Sequence, residues 1–311
     1  MLEIFKTEEQ WKAARAKDIT STDCAALFGL HPYKSRLRLW YEKAGFVEPE
    51  DIEDLDPVKW GRRLQLAVGM GICEDQGWIP HDLSLYYHHD ARTRTGASYD
   101  MAAFCRDRGG LINLEIKIAE SFSPENGWLK NEIPTMYEFQ IQGQLHEAEK
   151  SKKPFILGAC GAFGRRSSSK VYFREYDREL GEMIDDEALI FWKSIEDNNP
   201  PPPDYMVDGP LLERLRKPLR AGDRIILSTD NRACELAAQY IELRDARKAL
   251  NRDADIIGNK MAAIEAEILD KMGRNEYAKI GEYRVSAKKI IVEDHIVYGH
   301  ERRNFSISKQ K

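Results

Sequence analysis

Leu111-Ile112-Asn113-Leu114-Glu115-Ile116-Lys117-Ile118 alternates in polarity, and its two faces differ in chemistry. Strand geometry puts Leu114, Ile116 and Ile118 on one face and Asn113, Glu115 and Lys117 on the other. A carboxylate and an ammonium group therefore project side by side from a strand whose opposite face is apolar. Taken alone, Glu-x-Lys reads equally well as a surface pair in a chain that is 32% charged. The preceding residues say more. Thr95-Gly96-Ala97-Ser98-Tyr99-Asp100 reads as a strand ending in an acid, and Arg106-Asp107-Arg108-Gly109-Gly110 has the composition of a turn that returns the chain antiparallel. Such a hairpin brings Asp100 beside Glu115. Two adjacent carboxylates repel unless a cation lies between them, and oxygen-only ligands suit Mg²⁺ or Mn²⁺. A lysine on the same face can position a water molecule, or help deprotonate it, for attack on a phosphodiester.

The whole chain sets the bounds on that reading. Its 311 residues are 42% hydrophobic and 10% aromatic, enough for two domains or one large domain with an appendage. A mean hydropathy of −0.57 describes a soluble globular protein. No apolar run approaches the roughly 20 residues of a membrane helix, and MLEIFKTEEQWK is not read as a signal peptide. Cys24, Cys73, Cys105, Cys160 and Cys234 are scattered and never form CxxC, so a reducing cytoplasm is expected rather than a disulfide framework or a cysteine zinc site. A net charge of −5 argues against coating nucleic acid by bulk electrostatics, while leaving room for a local basic groove.

Pro200-Pro201-Pro202-Pro203 marks a stiff extended connection, so a first domain over 1–204 and an arm over 205–311 are expected. In the arm, Leu236, Leu243, Leu250, Ile257 and Ile264 recur every seven residues, as do Tyr240, Arg247, Ala254, Met261 and Ile268. This spacing predicts a long helix from about Ser228 to Met272 with a coiled-coil-like seam, stopped at Gly273. Two fates are open to it: packing within its own domain, folded back near Asn251, or serving as an oligomer or partner helix. Short strands are predicted over 276–280, 282–286 and 303–307, with Gly281 as a turn. Residues 229–311 carry 16 Lys+Arg against 14 Asp+Glu, a net +2, which leaves −7 for residues 1–228. The seven histidines form no HExxH or HxH, with His88-His89 read as a solvated pair, and Gly158–Gly164 lacks the Walker lysine and GxGxxG. Arg165-Arg166-Ser167-Ser168-Ser169-Lys170 is a basic loop, read equally as a phosphate contact or a solvated hairpin tip.

The D-(x)n-E-x-K pattern resembles the core of the PD-(D/E)xK, restriction-endonuclease-like nucleases. Further stretches resemble the phage-type alkaline exonucleases, the YqaJ and lambda-exonuclease group. They are Trp11-x-x-x-Arg15; Ile19-Thr20-Ser21-Thr22-Asp23 opening a helix; the Gly29-Leu30-His31-Pro32 turn; Trp60-Gly61-Arg62-Arg63-Leu64-Gln65; and Pro134-x-x-Tyr137-x-x-Gln140-Ile141-Gln142. The resemblance covers roughly residues 11–204.

It implies an α/β fold: a mixed central sheet flanked by helices near 60–73 and 136–149, with a long-helix arm and small β tail appended. It further implies that Asp100, Glu115 and the backbone carbonyl of Ile116 hold a metal, and that Lys117 is the catalytic lysine with Gln140 approaching the centre. Arg15 and Thr22, with Ser21, fall where the family binds the 5′-terminal phosphate. The free N–H groups and hydroxyl of a helix start suit that task, and an ordinary N-cap role for Thr22 is compatible with it. Tyr137 and Gln142 are expected in helix packing or on the DNA backbone. Gln65 stands where the family pattern has glutamate; it can ligate a cation through its oxygen but brings no charge, which weakens a second metal site. The activity implied is Mg²⁺- or Mn²⁺-dependent hydrolysis of linear double-stranded DNA from the 5′ end, leaving 3′ single strands for recombination in a bacterial host or prophage setting. The partners implied are DNA ends, a single-strand annealing protein and further copies of the chain, some relatives forming ring-shaped trimers. The rival reading is a nuclease-derived module that binds DNA ends or a protein with little catalysis.

Overall fold

The Glu115 stretch is the middle strand of a five-stranded sheet in the computed structural model, which describes residues 2–82, 86–119, 122–152, 155–164, 168–215, 225–280 and 282–287. The chain divides into two compact units, Met1–Lys217 and Pro218–Lys311.

The first unit runs β1 (Leu2–Ile4), α1 (Glu8–Arg15), β2 (Ile19–Thr20), a 3₁₀ turn (Ser21–Asp23) leading into α2 (Cys24–Leu27), α3 (Arg36–Lys43) and α4 (Asp56–Gln76). It continues with β3 (Ile79–Asp82), β4 (Tyr86–Asp90), β5 (Thr95–Ser98), β6 (Met101–Cys105), β7 (Gly110–Ala119), α5 (Thr135–Lys150), β8 (Leu157–Gly164), β9 (Ser168–Arg174), α6 (Arg178–Glu196) and α7 (Gly209–Leu215). The central sheet has the order β3-β6-β7-β8-β9 and is mixed, with β7 antiparallel to β6 and parallel to β8. This is the restriction-endonuclease-like α/β architecture expected.

Both faces of β7 are buried. Ile112, Leu114 and Ile116 pack with Ile72 and Cys73 of α4 and with Met101 and Leu157. At Gly69 a Cβ would stand 2.5 Å from Ile116 Cδ1, so the bare glycine lets α4 lie close on the sheet. The opposite face is covered by α5, and Glu115 is only 1% exposed. The surface-pair reading of Glu-x-Lys therefore falls away.

The strand expected over 95–100 is broken. β5 ends at Ser98 and belongs to a second sheet of order β1-β4-β5-β2, while β6 begins at Met101 and forms the hairpin with β7. Tyr99 and Asp100 are the crossing between sheets. The hairpin register pairs Met101 with Leu114, so Asp100 comes opposite Glu115. His88 lies on β4 and is buried, its Nδ1 2.7 Å from the Tyr99 hydroxyl, so the solvated histidine pair is not what forms.

The first unit extends past the proline run, so its end falls at 217 rather than at 204. Leu211 of α7 buries against Leu37 and Val47, and the Ser35 hydroxyl donates to Asp208. In the second unit, α8 (Asn231–Met272) is capped by Asp230, whose carboxylate accepts from Ala233 N at 3.0 Å, and ends at Gly273 with φ 58°. β10 (Tyr277–Ile280) and β11 (Tyr283–Ser286) form an antiparallel pair. Met272 is the only buried residue of α8 among those described, and Leu243 and Leu250 of the seam are 70% and 68% exposed. No described helix is long and apolar enough to cross a membrane. Gly281, the strand expected over 303–307, His295, His300, and Arg165 and Arg166 of the basic loop lie outside the described residues.

Candidate active site

A cleft of about 730 Å³ opens where the β6–β7 hairpin meets α1, α4 and α5. Asp100, Glu115, Ile116 and Lys117 form its floor. Asp100 Oδ2 accepts from the Ile116 backbone N–H at 2.8 Å, which fixes the carboxylate against the strand. Lys117 Nζ donates to Glu115 Oε1 at 2.5 Å and to Gln140 Oε1 at 3.1 Å, and Gln140 Nε2 donates to Glu115 Oε1 at 2.7 Å. Tyr137, one turn before Gln140 on α5, presents its ring 4.8 Å from the Lys117 ammonium, a cation–π contact.

The electrostatics follow from packing two acids and one base into this space. Burial and the neighbouring Glu115 charge push the Asp100 carboxyl up to about 8, against the relief given by Lys117 and the Ile116 N–H. Burial alone would lower the Lys117 ammonium, but the Glu115 and Asp100 charges outweigh it and hold it above its ordinary value. Lys117 is thus a fixed cation and hydrogen-bond donor, not a free base.

A cation fits this arrangement. Two carboxylates converge so closely that one resists ionisation, and the donors are oxygens. Asp100 and Glu115 would hold it, with Ile116 lining the same cleft. Gln65 of α4 also lines the cleft and offers a neutral oxygen. Among the described residues no cluster of three or more His, Cys, Asp or Glu forms a metal cage. The residues fit one hard divalent ion better than two.

Arg15 and Thr22 face the same cleft. The Arg15 guanidinium stacks on Trp11, 4.2 Å from the ring centroid, and makes no hydrogen bond or ion pair among the described residues. Thr22 is exposed, whereas Ser21 is buried and does not line the cleft. Ser21 therefore serves the packing of its turn rather than the contact expected of it. The turn itself is clamped: Asp23 Oδ2 accepts from Thr20 N at 3.2 Å and Thr20 Oγ1 at 2.9 Å, and Asp23 pairs with Lys43 and Lys34 at 3.2 and 3.5 Å.

Gln142 is not at the site. Two residues beyond Gln140, it points about 200° around the helix, where its Nε2 donates to Glu175 O at 2.9 Å and its Oε1 accepts from Asp177 N at 2.9 Å. It ties α5 to the start of α6. The residue missed is Gln144, one turn after Gln140. Fully buried, it donates to Glu115 Oε2 at 2.7 Å and to Ser98 O at 2.9 Å, and accepts from Asn113 Nδ2 at 2.7 Å. The signal was available: Gln140 and Gln144 are at i and i+4, on one helical face.

Sheet, hairpin and cleft together have the restriction-endonuclease-like arrangement. Residues 10–151 match the family model of the YqaJ-like viral recombinase domain, a stretch that contains every residue just placed at the cleft. The match spans less than half of the chain and is a likeness to that domain. Among solved structures it is similar to the alkaline exonuclease LHK-Exo of Laribacter hongkongensis, at 17% identity over 67% of this chain and 97% of that one, with a TM-score of 0.49. It is also similar to a putative exonuclease of Eubacterium rectale, at 8% identity over 74% and 99% of the two chains, with a TM-score of 0.46. No curated protein sequence matches it.

Proposed function

We propose that the protein is a divalent-metal-dependent DNA exonuclease that hydrolyses linear double-stranded DNA from the 5′ end and leaves 3′ single strands for phage-type recombination in a bacterial cytoplasm. The observation that carries this reading is the convergence of Asp100, Glu115 and Lys117 with Arg15 and Thr22 in one cleft. When bound, Mg²⁺ or Mn²⁺ supplies Lewis-acid stabilisation of charge on the phosphoryl and leaving oxygens. Asp100 and Glu115, helped by the Ile116 carbonyl, are the residues that would hold the ion. Lys117 remains an ammonium and donates a hydrogen bond toward the attacking water or a non-bridging phosphate oxygen. Gln140 holds Lys117 and Glu115 at a fixed separation, so that both approach the scissile phosphate together. Arg15, stacked on Trp11 and without a carboxylate partner among the described residues, and the Thr22 hydroxyl bind the terminal 5′-phosphate. Further copies of the chain and a single-strand annealing protein are the partners that complete this reading.

Gln65 supports a second reading, a DNA-end or protein-binding module with weak catalysis, since it leaves the cleft one carboxylate short. Incubation with linear 5′-phosphorylated duplex and Mg²⁺ or Mn²⁺, beside a Lys117→Ala control, separates the two. Nucleotide release by the native chain and not by the variant supports the enzyme. Binding of DNA without cleavage under either ion supports the module.

A further inference from the structure

The two halves of the proposed site are seated on one short stretch of α5. Gln140 and Gln144 donate to the two oxygens of Glu115, each at 2.7 Å. Between them, Gly143 carries the turn that bears Thr22. A Cβ at Gly143 would stand 3.1 Å from Cys24 Sγ and 3.3 Å from both Cα and Cβ of Ser21, so any side chain there must displace the turn by a few tenths of an ångström. The turn cannot absorb this locally, because Asp23 ties it to Thr20 and to Lys43 and Lys34. A side chain at Gly143 would therefore press on the turn as a whole, Thr22 included, rather than on Ser21 alone. From Gln140 to Gln144 the helix rises only about 6 Å. The carboxylate and the turn are thus referenced to the same rigid backbone.

We propose that Gly143 is a positioning residue: its bare backbone sets the distance between Thr22, on the turn proposed to anchor the terminal phosphate, and the carboxylates that face the scissile bond, so that α5 gauges which phosphodiester reaches Glu115. The proposal rests on the reading of the cleft given above. It makes a specificity claim that a purely structural role for Gly143 does not make. Loss of the gauge penalises substrates whose 5′-phosphate is anchored and spares those whose end carries a hydroxyl.

The test compares the full-length native chain, Gly143→Ala, and Cys24→Val, which crowds the same contact from the other side. Each is given linear duplexes ending in a 5′-phosphate or a 5′-hydroxyl. Hydrolysis with Mg²⁺ is resolved into kcat and KM, equilibrium binding is measured by fluorescence anisotropy with Ca²⁺, and thermal unfolding monitors the fold. For both variants the preference for the phosphorylated end is expected to fall about three- to tenfold, in KM and in Kd, because small misplacements of a bound group carry penalties of that order. Turnover on the hydroxyl end is expected to change less than twofold. Preference retained in a folded variant overturns the proposal, as does an equal loss on both ends. A native chain that binds the phosphorylated end selectively but cleaves nothing overturns the enzyme reading, and the gauge is then judged on the binding preference. A native chain indifferent to the end in both assays overturns the gauge and the phosphate anchor together.

Discussion

Asp100 is where acidity and cation binding meet. Its carboxyl is held at about 8 in the folded chain, against 3.8 in a free one, chiefly by burial and the Glu115 charge. Between those values the folded state keeps a proton that the unfolded state has lost, so this group's contribution is fully present below 3.8 and is lost as pH rises through about 8. A divalent ion competes with that proton. The rise in Tm on adding Mg²⁺ is therefore expected to be larger at about pH 9 than at about pH 5; equal rises would mean that the ion does not sit at Asp100. At Gln65 a restored carboxylate should tighten the site: Gln65→Glu is expected to bind Mn²⁺ about tenfold more tightly by calorimetry, since a charge within a few ångströms contributes more than 1.4 kcal/mol. Unchanged affinity would remove Gln65 from the ion's surroundings. Gln144→Leu leaves Glu115 Oε2 and the Asn113 amide without a partner and is expected to cost about 1–3 kcal/mol in denaturant unfolding. A cost near zero would show that the amide chain does not hold Glu115. Asp100, Glu115 and Lys117 were legible in the sequence because strand alternation and a glycine turn fix their relation. Gln144 was not, because the motif's Gln140 and Gln142 stand at i, i+2, a spacing that aligns side chains on a strand but separates them on a helix.

At the scale of elements, β7 was readable from its alternation and α8 from its seven-residue repeat, while α4 and α5 were expected from the family resemblance. The second sheet was not. β1 spans Leu2–Ile4 and β2 only Ile19–Thr20, too short to show alternation, and their pairing is set by partners distant in sequence. The chain switch at Tyr99–Asp100 was hidden for the same reason: local residues favour extension on both sides, and only the pairing partners differ. The turn that carries Thr22 depends on Asp23. Burial works against its carboxylate, yet Lys43 and Lys34 hold it well below the usual range. A depressed carboxyl stabilises above its unfolded value and loses that contribution as pH falls. Asp23→Asn is expected to cost roughly 3 kcal/mol near neutrality, as for a broken buried pair, with the gap to the native chain closing below about pH 4. A gap independent of pH would show that the clamp is not ionic.

The whole molecule separates its charge and its tasks. Residues 1–228 carry −7, part of it in the carboxylate pair that would face a cation, and DNA contact falls to placed groups such as Arg15, Thr22 and Lys117. The proline run was legible as a break, but α7 lies beyond it and packs into the first unit, because Leu211 completes the pocket of Leu37 and Val47. A chain ending at Lys217 is accordingly expected to fold and unfold cooperatively on its own, while one ending at Asp204 is expected to lose stability by exposing that pocket. Equal stability of the two would contradict the assignment of α7. The central claim, however, is chemical. Its most direct measurement is nucleotide release from linear 5′-phosphorylated duplex DNA with Mg²⁺ or Mn²⁺, for the native chain and for Lys117→Ala side by side. The account predicts progressive release from the native chain and loss of about a hundredfold or more in the variant. Release that survives Lys117→Ala undiminished, or none from the native chain with either ion, would contradict it.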